Sequence, residues 1–77
     1  MTDNEHPEPV EIDLGMQHSF EIEPILAGLE EEGIWTYLVD QAEVPGAIGL
    51  GPKRCKVLVR PGDEGRVREV FTAEGYL

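Results

Sequence analysis

Residues 1–52 contain no lysine or arginine. All six basic residues fall between Lys53 and Arg68, while the 77-residue chain as a whole carries a formal net charge of −10. A surface that neutralises phosphates needs clustered cations, so nucleic acid and anionic membranes are poor partners for most of this chain. Cysteine is almost missing too. The single Cys55 cannot close an internal disulfide, which suits a reducing compartment. No apolar run approaches the ~18 residues of a membrane span, and no basic segment followed by an apolar one opens the chain as a secretory signal would. The expectation is a soluble, cytoplasmic domain. Aromatic residues make up only 6% of the chain, so where they fall is informative. The length suits one domain and excludes two. At 40% hydrophobic and 29% charged residues, the composition is that of a globular domain.

Residues 1–9 are polar, acidic and interrupted by Pro7 and Pro9, and they read as a disordered tail ahead of a single domain over 10–77. Val10, Ile12, Leu14 and Met16 then alternate with Glu11, Asp13 and Gly15, the period of a strand with one buried face. Ile22, Ile25, Leu26 and Leu29 form an apolar stripe at helical spacing and predict a helix over 20–32. Pro24 leaves its start open: either the helix begins there or its first turn is distorted. Glu30, Glu31 and Glu32 read as a solvated last turn, and Gly33 as the glycine that closes it. Ile34 should then fold back on Leu29.

The β-branched and aromatic run Ile34 to Val39 predicts a second strand, and Cys55 to Arg60 a third. Between them, Pro45, Gly46, Gly49, Gly51 and Pro52 demand a loop. After Pro61-Gly62, Asp63 is a suitable N-cap for a helix over 64–74, whose stripe is Val67, Val70 and Phe71. The helix ends Glu32-Gly33-Ile34 and Glu74-Gly75-Tyr76 match, a weak internal repeat. The order predicts an α+β fold, a ferredoxin-like split βαββα arrangement. It has a three-stranded antiparallel sheet in the order one, three, two, both helices on one face, and a last strand missing or vestigial.

The run from Glu21 through Pro24, Gly28 and Gly33-Ile34-Trp35 to Asp40 resembles the core signature of a small bacterial family. Its members are described as signal-transducing proteins, a domain of unknown function with a ferredoxin-like, PII-like fold. The resemblance continues through Cys55–Arg60 and Pro61-Gly62-Asp63-Glu64, covering roughly residues 10–75, and departs at Pro24, where relatives more often carry an aliphatic residue. It implies the fold and a regulatory role. It also implies that the loop between strands two and three is where PII proteins carry their partner-contacting loop.

Two candidate sites emerge. If Ile34 packs under the first helix, alternation sends Trp35, Tyr37 and Val39 to the opposite sheet face, joined by Leu58 and flanked by Glu11, Asp13, Lys56 and Arg60. An exposed Trp/Tyr/Leu cluster has the composition of interface hot spots, so this face is the candidate surface for a protein partner or self-association. The competing register places Trp35 and Tyr37 in the core. The second candidate is the loop 43–54, where Gly46, Gly49 and Gly51 let backbone N–H groups approach an anion and Lys53 and Arg54 add charge. Neither nucleotide-binding glycine fingerprint is present, so a small-molecule or anion sensor is the alternative function, and a plain connector the simpler reading. His6 and His18 lack the spaced partners of a metal site, and Ser19 lacks a nucleophile elbow. Cys55 reads as a small buried hydrophobe. No catalytic residue, metal or cofactor is expected.

Overall fold

Gly33 reverses the chain as its sequence context demands, and the faces of the sheet follow from that reversal. The computed structural model describes residues 8–41 and 51–77. In it β1 (Val10–Gln17) leads to α1 (Ser19–Glu31), β2 (Thr36–Gln41) and β3 (Lys53–Val59). A 3-10 turn over Pro61–Asp63 then enters α2 (Glu64–Ala73). β1 and β2 both pair antiparallel with β3, giving the order β1-β3-β2. No strand follows α2 among the described residues. The fold is the expected α+β arrangement of a three-stranded sheet with two helices.

At the end of α1, Gly33 takes φ +84°. The Ile34 N–H donates to the Leu29 carbonyl at 3.0 Å and the Gly33 N–H to the Glu30 carbonyl at 2.9 Å. These two bonds are the Schellman pattern, and they satisfy carbonyls that the helix end would otherwise leave open. The end of α2 repeats it, with Tyr76 N–H to Phe71 at 2.9 Å and Gly75 N–H to Thr72 at 3.1 Å. Each motif folds an apolar residue back: Ile34 is 8% exposed, and the Tyr76 ring meets Phe71 edge-on at 6.0 Å between centroids.

The core lies between the helices and one sheet face. Ile12, Leu14, Cys55, Val57 and Val59 from the sheet meet Ile22, Leu29, Val67 and Phe71 from the helices, all buried. Leu38 and Val10 pack against its margin. α1 begins at Ser19 and carries Pro24 inside it. Proline removes the N–H that would bond to the Phe20 carbonyl four residues back. Both Pro24 and Phe20 are exposed.

Four sequence expectations need correction. β2 starts at Thr36 and not at Ile34: Ile34 is spent on closing the helix, and Thr36 pairs with Val59, the last residue of β3. β3 is likewise shifted, covering 53–59 in place of 55–60, because Pro61 begins the 3-10 turn. Asp63 stands at the N-cap position of α2 without a side-chain capping bond, being itself part of that turn. The last correction concerns Met16. The β1–β3 register slips between Asp13 and Gly15, a bulge that makes Leu14 an extra residue. Gly15 adopts φ +78° there, its N–H bonded to Asp13 Oδ1 at 2.8 Å. The Gln17 amide donates to the Leu14 carbonyl at 3.0 Å. Leu14 therefore stays buried while Met16 turns to the opposite face, 43% exposed.

Candidate interaction face

The sheet surface away from the helices is built in rows across the strands. Tyr37, Leu58 and Glu11 are register partners, as are Val39, Lys56 and Asp13. Met16 stands opposite Arg54. Period-two alternation puts these side chains on one face, because Ile12, Val57 and Leu38 between them belong to the core side. Tyr37 is 58% and Trp35 39% exposed, with Val39 and Leu58 half-buried beside them. The expected constellation of Trp35, Tyr37, Val39 and Leu58 is thus together and solvent-facing, and the competing core register is not the one adopted.

Charge runs along the same surface. Arg54 Nη1 lies 3.3 Å from Asp13 Oδ2 and Lys56 Nζ 3.7 Å from Glu11 Oε1, cross-strand pairs between half-buried bases and exposed acids. The Arg60 guanidinium sits 5.4 Å from the centre of the Trp35 ring, a cation–π contact worth about 0.5–1 kcal/mol at an exposed site. Three bases and two acids give this face a slight positive excess on a chain whose net charge is −10. Met16, which the sequence pattern had placed in the core, extends the apolar centre beside Arg54.

Most of the glycine-loop candidate, 43–54, lies outside the described residues. Gly46 and Gly49 lie outside the described residues, and Gly51 is exposed. Lys53 and Arg54 are adjacent residues of β3, paired with Gln17 and Met16 respectively, so alternation directs them to opposite faces. Arg54 donates to Asp13 Oδ2 at 3.3 Å.

On the helix side, a groove of about 540 Å³ runs between α1 and α2, floored by Ile25, Leu29 and Val70 and rimmed by Glu21, Glu32 and Arg66. Its rim holds an ion-pair cluster that sequence reading missed. Arg66 Nε and Nη2 donate to the two Glu32 carboxylate oxygens at 3.0 and 2.9 Å, and Nη1 to Glu69 at 3.1 Å. The hydrogen bonds from Arg66 hold the Glu32 carboxyl below the usual glutamate range. Glu32 is therefore a clamp between the helices and not merely part of a solvated last turn. Tyr76 is pushed up, first by desolvation and then by Glu21. Cys55 is fully buried and its thiol is raised, chiefly by desolvation and secondarily by Asp40. His18 precedes α1 without a side-chain capping bond and lies 5.2 Å from the Phe20 ring. Among the described residues, no group of three or more His, Cys, Asp or Glu side chains could hold a metal ion, and no helix is long and apolar enough to cross a membrane. No family model, curated protein or solved structure matches the chain.

Proposed function

We propose that this domain is a small, non-catalytic regulatory or protein-interaction module that works through its outer sheet face. The observation that carries the reading is the exposure of Tyr37 and Trp35, at 58% and 39%, on the sheet face opposite α1 and α2. Aromatic side chains lose little conformational freedom on docking and bury a large area, which is why they dominate interface energetics. Arg60, stacked on Trp35, favours a partner that brings a carboxylate beside an apolar anchor. A role in signal transduction accords with the family that residues 21–40 resemble. The test is a photo-reactive benzophenone side chain placed in living cells at Tyr37 or Leu58, with exposed Thr72 on α2 as the control. Positions 37 and 58 should yield a discrete adduct that Trp35→Ser abolishes. The same adduct from position 72, or none from either sheet position, overturns the reading.

A further inference from the structure

Among the described residues β1 and β2 are the outer strands of the sheet, and they differ in how they would meet another strand. β1 is defended. Its bulge at Leu14 and Gly15 interrupts the ladder, a device that blunts sheet edges. Glu11 and Asp13 also share one face. Antiparallel pairing with β1 of a second copy would set Glu11 against Asp13 twice if centred on Ile12, or Asp13 against itself if centred on Asp13. Like charges directly opposed are destabilising.

β2 lacks these defences. Its register with β3 runs from Thr36 to Gln41 without a slip, and it contains one charged residue, Asp40. A two-fold antiparallel pairing keeps the sheet faces aligned only when residues of the same parity are opposed. Centred on Leu38, that pairing sets Tyr37 against Val39 twice on the outer face, an aromatic/β-branched pair of the favourable kind. On the helix side it sets Leu38 against Leu38, and the Thr36 hydroxyl against the Asp40 carboxylate. Centring on Val39 drives Leu38 against Asp40, and centring on Tyr37 shortens the ladder to residues 36–38. The sequence of β2 thus singles out one register.

We infer that a second copy of this chain pairs along β2, antiparallel and centred on Leu38, so that two three-stranded sheets join as β1-β3-β2-β2′-β3′-β1′. The inference concerns a backbone edge and stands apart from whatever docks on the outer face. Pairing would also bring Tyr37 of both copies close to the two-fold axis and double that face. Asp40 of the second copy would approach the hollow lined by Glu30, Trp35 and Thr36. Two strongly acidic chains repel besides, and both effects are screened by salt. Association therefore strengthens as ionic strength rises.

The experiment compares Thr36→Cys, Leu38→Cys, Val39→Cys and Leu58→Cys under mild oxidation, with the parent chain and its buried Cys55 as control. Opposed residues of an antiparallel pair lie at ~4.5–5.5 Å between Cα atoms, within disulfide reach. Leu38→Cys should give a band at twice the chain mass, and the others should stay monomeric. Linking at Val39→Cys or Leu58→Cys in its place overturns the inference. Because Leu38 also packs against the core, the unaltered chain supplies the second arm: in sedimentation equilibrium it should show a dimer whose fraction grows with salt. A monomer at every concentration and salt level overturns the inference, and it leaves the outer-face adduct of the preceding section untouched.

Discussion

Replacing Gly33 by alanine and, separately, Gly28 by alanine makes the same chemical change with opposite expected signs. A Cβ built at either position meets nothing within 4 Å, so neither substitution creates a clash. The backbone decides. Gly33 holds φ +84°, where an L side chain costs roughly 1–2 kcal/mol. Gly28 lies inside α1, where alanine is favoured over glycine by about 0.5–1 kcal/mol. A domain of this size has on the order of 4–12 kcal/mol in total, so the loss at Gly33 is a sizeable fraction. At about 4–8 °C per kcal/mol, Gly33→Ala should lower the thermal midpoint by roughly 4–16 °C and Gly28→Ala raise it by about 2–8 °C. Calorimetry, or circular dichroism followed through the melt, reads both. A Gly33→Ala protein as stable as its parent would mean that the turn does not use the left-handed conformation. The reasoning that fixes which way β2 faces would then fail with it.

Leu14 and Met16 look equivalent in the sequence alternation but are separated by the bulge, so truncating them should differ sharply. Leu14→Ala should cost about 2–5 kcal/mol and Met16→Ala no more than about 0.5 kcal/mol in urea titrations, and equal costs would deny the bulge. The Glu32 carboxyl is held low by Arg66. Its contribution to stability is thus present above the unfolded-state pKa and is lost as pH falls through the lower folded value. Carboxyl NMR titration should find the Glu32 midpoint rising in Arg66→Ala, and an unmoved midpoint would refute the clamp. Cys55 is fully buried, and its thiol is raised by desolvation. Its reaction with an aromatic disulfide reagent should therefore be slow in the native protein and fast in denaturant; comparable rates would contradict its burial.

The strand order and the two helix ends were legible because each rests on local signals. Period-two alternation marks β1 and β-branched runs mark β2 and β3, while the Gly33-Ile34 and Gly75-Tyr76 pairs supply both the positive φ and the apolar residue that a helix end needs. The outer face was legible for the same reason, since one turn at Gly33 fixes the parity of every residue from Ile34 to Val39. Where competition entered, the pattern misled. Ile34 and Trp35 carry strand propensity, but the first is taken up by the helix cap and the second has no partner on β3. Met16 obeys the alternation, yet Gly15 inserts a bulge that Asp13 and Gln17 stabilise through their side chains. The bond between Arg66 and Glu32 joins residues 34 apart, a distance that no local pattern spans. Lys53 and Arg54 read as a basic pair in the chain, and only their place in β3 shows that they diverge.

The account turns on one face of the sheet being open, and a soluble paramagnetic relaxation agent added to isotope-labelled protein tests it most directly. Side-chain resonances of Tyr37, Trp35 and Met16 should broaden strongly, while those of Ile12, Ile34, Val57 and Val59 stay sharp. Protection of Tyr37 and Trp35 together with broadening of Val57 and Val59 would reverse the faces and contradict the account.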